Sequence, residues 1–229
     1  MPKPKVAVLL SGCGVYDGSE IHEAVLTLLS LDEAGAEYQC IAPDIEQHHV
    51  VNHLTGEEMA EKRNVLVEAA RIARGNIKPL HMVKADDYDA LIMPGGFGSA
   101  KNLTGWAFSG PDGEIHPEVK RFIQDMVKTH KPVVALCMSP VVIAKALEGS
   151  GIQARLTVGT TAQKSPYDIA AVSSGLNKTG AVAEMAAVDE IVVDEKNKII
   201  TTPCYMMEAG IRQIYDGIRK AVSRLMEWL

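Results

Sequence analysis

Val133-Val134-Ala135-Leu136-Cys137-Met138-Ser139-Pro140-Val141-Val142-Ile143-Ala144 is the stretch that decides the fold. Four apolar residues run without interruption up to Cys137, and a helix-like pattern begins at Pro140. A run that is apolar at every position, rather than at alternate ones, marks a strand buried on both faces, as in a parallel sheet. Passing from such a strand into a helix within two or three residues takes a sharp bend, and the residue at the bend is expected to stand exposed above the sheet. A thiol placed there lies near a helix N-terminus, whose partial positive charge favours thiolate. Cys137 therefore reads as a nucleophile.

The same grammar extends in both directions. Lys5–Leu10 is a β-branched run that ends in the turn-rich loop Ser11-Gly12-Cys13-Gly14-Val15-Tyr16-Asp17-Gly18. Ser19 reads as the N-cap of a helix to about Ala34, with Ile21, Ala24, Val25, Leu28 and Leu29 on one apolar stripe and Gly35 as its stop. Tyr38–Ala42 follows as a strand, completing the β-loop-α-β unit of a parallel sheet. A polar stretch from Pro43 to Gly56 precedes a helical period over Asn64–Arg74. Asp89–Met93 reads as a strand ending in Pro94-Gly95-Gly96-Phe97-Gly98, and Glu118–Lys128 as a helix. Pro132 introduces the strand to Cys137, and Pro140–Leu147 is the helix after the bend. Arg155–Val158, Glu190–Val193 and Lys198–Thr202 read as strands, the last two joined by the hairpin-like turn Asp194-Glu195-Lys196-Asn197. Met207–Leu229 closes the chain as an amphipathic helix. No repeat or low-complexity linker interrupts residues 1–229, so the expectation is one doubly wound, mostly parallel α/β domain flanked by helices, with a β-hairpin extension.

The 229 residues suffice for a substantial core, and with only 5% aromatics it must be built from aliphatic side chains and Met. The formal charge of −6, without a basic run, argues against nucleic acid or an acidic membrane as partner. No apolar segment approaches the length of a membrane span. The N-terminus enters the first strand without a secretory or amphipathic presequence, so a cytoplasmic location is expected. Cys13, Cys40, Cys137 and Cys204 form neither a C-x-x-C pair nor a disulfide framework, and Cys40 reads as a core residue.

Ligands of open parallel sheets bind outside the carboxyl ends of the strands. Three strand-end loops, Ser11–Gly18, Pro94–Gly98 and Cys137–Pro140, are expected to converge there. Gly95-Gly96 lets backbone approach a ligand, and its N–H groups with that of Met138 suit an oxyanion. Glu23, one turn into the first helix, sits beside the apolar stripe and near the same edge, where a carboxylate can move a proton; by helix mechanics alone it reads rather as a first-turn acid favoured by the helix dipole, like Glu20. Cys13, whose loop follows the first strand, Tyr16 and Cys204 are expected to line the site. The glycines at 12, 14 and 18 fit neither G-x-G-x-x-G nor a P-loop, which argues against nucleotide. His48-His49 and His53 lack the companions of a metal site and read as a solvated loop. No metal and no cofactor is expected. Every histidine precedes Cys137 in the chain, His116 included. Ser139 reads as helping the helix start.

Taken together, these segments resemble the ThiJ/PfpI branch of the class I glutamine amidotransferase-like superfamily, and within it the ElbB-type group, formerly tied to isoprenoid biosynthesis and described as glyoxalases. Leu10–Glu23, Asn52–Glu57, Arg63–Leu66, Pro94–Leu103 and Thr201–Met206 carry the resemblance. It implies Cys137 as nucleophile, Glu23 as acid/base and Gly95-Gly96 as oxyanion loop, with homodimers common. A histidine frequent after the family's cysteine has no counterpart in Leu156–Thr161. Its absence disfavours amide hydrolysis, which needs a base to activate the thiol and protonate the leaving amine. The expected reaction is cofactor-independent conversion of glyoxal, or another small 2-oxoaldehyde, to a 2-hydroxy acid, a lyase-type step. A non-enzymatic redox sensor using an oxidisable Cys137 is the alternative, and a glutamine amidotransferase-like subunit a third.

Overall fold

The computed structural model describes residues 3–229. Along the chain, β1 (Lys5–Leu9), α1 (Ile21–Glu33), β2 (Glu37–Ala42), α2 (Val65–Ile72), β3 (Ile77–Pro79) and β4 (Ala90–Met93) form the first half. After a short α3 (Trp106–Ser109) come α4 (Pro117–Lys128), β5 (Val133–Leu136), α5 (Pro140–Leu147), β6 (Arg155–Leu156), α6 (Ile169–Lys178) and β7 (Val182–Ala183). Then β8 (Val192–Asp194), β9 (Ile199–Thr202) and α7 (Ile211–Met226) close the chain.

Seven strands make one sheet in the order β3-β2-β1-β4-β5-β9-β8, parallel throughout except for β8, which runs antiparallel to β9. The expected hairpin is thus the sheet's edge, and β9 pairs in parallel with β5, Leu136 facing Thr202. The run Val133–Leu136 is buried at every position, as is Ala90–Met93, because both lie between helix layers. Crossovers keep one hand. The chain steps one way from β1 to β2 and the other way from β4 to β5, so α1 and α4 cover opposite faces. In one layer α1 packs on α7; in the other α4 packs on α5. β6 and β7 form a separate two-stranded sheet. The strand order reverses between β1 and β4, which makes their carboxyl ends the topological switch point.

The structure departs from expectation on α1. Ile21, Val25 and Leu29 are exposed, whereas Glu23, Ala24, Thr27, Ser30 and Leu31 face inward. The apolar period was real, but Ile21, Val25 and Leu29 mark the outer face, while the inner face carries a carboxylate and two hydroxyls beside Ala24 and Leu31; Thr27 donates to the Glu23 carbonyl at 2.7 Å, and Ser30 Oγ is buried without a partner. The helix cap is Glu20, whose carboxylate accepts from the Glu23 N–H, not Ser19. Ser19 Oγ instead accepts from the Ser11 N–H at 2.9 Å and ties the loop after β1 to itself. Among the described residues no helix is long and apolar enough to cross a membrane.

Candidate active site

Cys137 occupies the bend between β5 and α5 with φ +57°. That left-handed conformation costs a residue with a Cβ about 1–2 kcal/mol, so its surroundings must hold it. The Cys137 N–H donates to the Thr202 carbonyl of β9, and the Ser139 N–H to the Leu136 carbonyl, each at 2.9 Å. The Ser139 hydroxyl makes no helix cap. It is fully buried and donates to the Pro94 carbonyl at 2.6 Å, while also lying 2.8 Å from Ser99 Oγ. The hydroxyl therefore clamps the bend to the loop after β4.

That loop is in turn laced to the loop after β1. Phe97 N–H donates to Val15 O, Gly98 N–H to Gly18 O and Glu20 N–H to Gly95 O, at 2.8, 2.9 and 2.9 Å. Only glycine fits at 95: a Cβ would stand 2.4 Å from Cys137 Cβ, 2.6 Å from Glu23 Oε2 and 2.9 Å from Cys137 Sγ. Gly96 has φ +98° and no more room, with Gly18 O 2.3 Å from where a Cβ would be. The two glycines let thiol, carboxyl and loop backbone share one small space.

Glu23 is completely buried. Its Oε2 accepts from the Gly95 N–H at 2.9 Å and its Oε1 from the Tyr205 N–H at 3.2 Å. Burial, helped by the neighbouring Glu20 charge, lifts the carboxyl to about 8, against the pull of the Tyr205 N–H, the Cys137 side chain and the Gly95 N–H. A carboxyl with that value both holds and releases a proton near neutrality. Cys137 is only 5% exposed, not standing clear of the sheet as its bend suggested. Burial and then the facing Glu23 charge push its thiol well up, and the N–H groups of Gly96 and Met138 act in the opposite direction. The expected depressed thiol is therefore corrected: with the sulfur buried against a carboxylate, desolvation and like charge outweigh the helix terminus. When Glu23 holds the proton that repulsion vanishes, and the carboxylic acid can donate to sulfur.

Val15, Glu20, Gly96, Phe97, Cys137, Met138, Tyr167, Tyr205 and Met206 line a pocket of about 240 Å³ including its mouth. The enclosed part is only about 10 Å³, room for a single water, so only a very small ligand reaching in from the mouth meets Cys137. No histidine is among the lining residues.

The sequence pattern of the DJ-1/PfpI family matches residues 5–205. The chain belongs to the DJ-1/PfpI family. It is 44% identical over 230 residues to the human "Glutamine amidotransferase-like class 1 domain-containing protein 3, mitochondrial", spanning 99% of this chain and 84% of the relative. The rat "ES1 protein homolog, mitochondrial" is 43% identical over the same shares. The crystal structure of an "isoprenoid biosynthesis protein with amidotransferase-like domain" from Ehrlichia chaffeensis superposes with TM-score 0.88 at 34% identity, covering 98% of this chain and 100% of that one. The fold is accordingly the flavodoxin-like, class I glutamine amidotransferase-like one. Drosophila melanogaster DJ-1beta, at TM-score 0.58 and 16% identity, shares that fold.

Within this DJ-1/PfpI chain, the expected site residues separate. Cys137, Glu23, Gly95, Gly96 and Met138 come together. The Gly95 N–H is taken by Glu23, so the donors left for an oxyanion are Gly96 and Met138. Cys13 does not line the pocket: it interacts with Glu68, Arg71 and Arg63, toward α2, and burial raises its thiol. Tyr16 also stays outside, its carbonyl accepting from Lys101 Nζ at 2.9 Å and its ring 4.9 Å from that of His53; Val15 takes the lining place because the tight turn carries the next side chain outward. Cys204 lies buried behind the wall formed by its neighbours Tyr205 and Met206.

The histidines are likewise placed. His53 is not a free loop residue. It lies 3.0 Å from the Val51 carbonyl through Nδ1, and its Nε2 accepts from the Tyr16 N–H at 3.3 Å, which pins the loop after β1. His116 caps no backbone N–H and is not a pocket residue. Among the described residues no three or more His, Cys, Asp or Glu side chains gather as a metal set.

Sequence reading missed Glu20, Tyr167 and Tyr205 at the pocket and Asn102 beneath it. Asn102 Nδ2 donates to both Ser11 O and Asp17 O at 2.9 Å, bridging the two ends of the loop after β1. Glu20 was legible as an acid ahead of a helix; the tyrosines, distant in sequence, carried no local signal.

Proposed function

We propose that this chain is a cofactor-independent glyoxalase of the ElbB type, acting on glyoxal or a similarly small 2-oxoaldehyde. One observation carries the reading: a fully buried carboxyl held near 8 interacts directly with a buried cysteine in a pocket without histidine. Glu23 carboxylate takes the Cys137 thiol proton; the thiolate adds to one aldehyde carbon, C1, and the new oxyanion, facing the N–H groups of Gly96 and Met138, takes that proton back from Glu23. Glu23 carboxylate then removes the C1 hydrogen, giving an enediol bonded to sulfur. The same proton returns to C2, the C1 hydroxyl proton passes to the C2 oxygen, and C1 becomes a thioester carbonyl. Water cleaves the thioester to the 2-hydroxy acid and frees Cys137. A metal or organic cofactor has no role in this sequence.

The solved relative described as an isoprenoid biosynthesis protein supports the ElbB-type assignment. Burial of Cys137 weighs against the redox-sensor alternative, which draws on an exposed, acidic thiol; the missing imidazole weighs against glutaminase. A cytoplasmic location and a homodimer complete the reading. Ile21, Val25 and Leu29 on the outer face of α1 favour the homodimer, which sedimentation of the chain reads as doubled mass. The deciding experiment compares glycolate formation from glyoxal by wild type and Cys137→Ala, each freed of contaminating glyoxalase. Turnover that depends on Cys137 supports the proposal; equal glycolate from both sinks it.

A further inference from the structure

Of the side chains that line the pocket, Tyr167 alone holds out a hydroxyl that bonds to no protein group among the described residues. The Tyr205 hydroxyl is engaged by His22 Nδ1 at 3.0 Å, and Phe97 has none. Glu20 spends Oε2 on the Glu23 N–H and offers only acceptors. The backbone of Tyr167 is fixed from both sides: its N–H donates to Ser165 Oγ at 2.9 Å, and that hydroxyl donates to the Met206 carbonyl at 2.6 Å. Its carbonyl accepts from the Ile169 N–H at 3.1 Å. The ring meets Phe97 edge to face, with centroids 5.6 Å apart. A half-buried phenol this well anchored, in a pocket that Cys137 and Glu20 also line, is a positioned donor without a partner. Burial, reinforced by the Cys137 and Glu23 charges, holds it at about 12, so it keeps its proton throughout the neutral range.

We propose that the Tyr167 hydroxyl donates a hydrogen bond to the second carbonyl oxygen of the substrate, the one Cys137 does not attack, and so selects dicarbonyls over simple aldehydes. The proposal rests on the glyoxalase reading for its substrate class. The first oxygen is met by Gly96 and Met138, which leaves the second without a backbone donor. When Glu23 removes the C1 hydrogen, the electron pair moves into the C1–C2 bond and negative charge grows on that second oxygen. The Tyr167 O–H meets this charge and retains its proton, while the hydrogen bound for C2 stays with Glu23. Tyr167 therefore both positions the substrate and stabilises the enediol.

The test compares wild type with Tyr167→Phe, which keeps the ring packed on Phe97 and deletes one oxygen. Each protein is titrated with glyoxal and, separately, with acetaldehyde, which forms the hemithioacetal and has no second carbonyl. Adduct formation is read as protection of Cys137 from iodoacetamide, by peptide mass spectrometry. Loss of one hydrogen bond should weaken glyoxal protection about five- to tenfold and leave acetaldehyde protection unchanged. Glycolate formation should fall about 100-fold, with kcat affected more than KM. Unchanged glyoxal protection overturns the proposal, as does an equal loss for both aldehydes, which marks a structural tyrosine. Selective protection loss without glycolate from wild type retains Tyr167 as a dicarbonyl contact and removes the glyoxalase reading. Wild-type Cys137 protected by neither aldehyde removes both.

Discussion

Two cysteines end adjacent parallel strands of this sheet, and both adopt left-handed backbone: Cys137 at φ +57° after β5 and Cys204 at φ +47° after β9. Both are buried, and burial raises both thiols well above an ordinary cysteine. Yet Cys137 faces a pocket, a buried carboxyl and two backbone donors, whereas Cys204 is sealed behind Tyr205 and Met206. Strain at a strand end and the reach of the Glu23 charge are thus common to both; access and a hydrogen bond with that carboxyl belong to one. A strained cysteine marks a sharp turn, and only what meets its sulfur makes that turn a reaction site.

Replacing each cysteine is the sharpest way to break this contrast. Cys137→Ala should reduce glycolate formation by at least about 1,000-fold, while Cys204→Ala should leave turnover within about fivefold and cost about 1 kcal/mol of stability. Equal losses in the two variants, measured by product chromatography on matched folded protein, would erase the distinction.

The proton partner comes next. Glu23→Gln should lower turnover about 100- to 10,000-fold and also change how stability depends on pH. The Glu23 carboxyl titrates at an ordinary 4.5 when unfolded and about 8 when folded. Between those values the unfolded chain binds fewer protons than the native one, so stability falls as pH rises, by roughly 3–5 kcal/mol across the window. Urea unfolding at several pH values should show that decline in wild type and a flatter profile in the glutamine variant. An unchanged slope would show that Glu23 is not the buried acid described here.

Gly95→Ala tests how tightly the Cys137 side is built. Its new methyl collides with Cys137 Cβ and Glu23 Oε2, so a loss of about 1–3 kcal/mol is expected by thermal unfolding, with displacement of the pair. Glu20→Gln should give the smallest effect. The amide oxygen can still cap the Glu23 N–H, but the charge that helps raise Glu23 is gone. The pH-dependent decline should therefore end at lower pH and be smaller, with turnover at neutral pH changed by no more than about threefold.

The sequence was most readable where one physical demand governs each position. Val133–Leu136 could be recognised because a doubly buried strand admits only apolar side chains, and the glycines at 95 and 96 because backbone must pass very close to something. It misled where a helix buries polar groups. On α1 Ile21, Val25 and Leu29 face outward while Glu23 and Thr27 join Ala24 and Leu31 inside, an exchange that periodicity cannot detect, since it reports an amphipathic pattern without saying which face meets the core. Local pattern also assigned Ser139 to its own helix, although its hydroxyl reaches Pro94 on a different loop.

The amino-acid sequence by itself determined the parallel sheet, the bend that carries Cys137 and the absence of a histidine after it, because strand patterning, glycine placement and residue order are written position by position. The tertiary structure alone decided that the cysteine is buried, that Glu23 is held near 8, that Tyr16 and Cys13 stand outside and that Tyr167 lines the pocket. Those outcomes depend on desolvation and on contacts between residues far apart in the chain, such as Glu23 with Tyr205 and Gly95. Burial of a charge is a property of everything packed around it, and it raises a carboxyl and a thiol that sequence position alone would leave at their ordinary values.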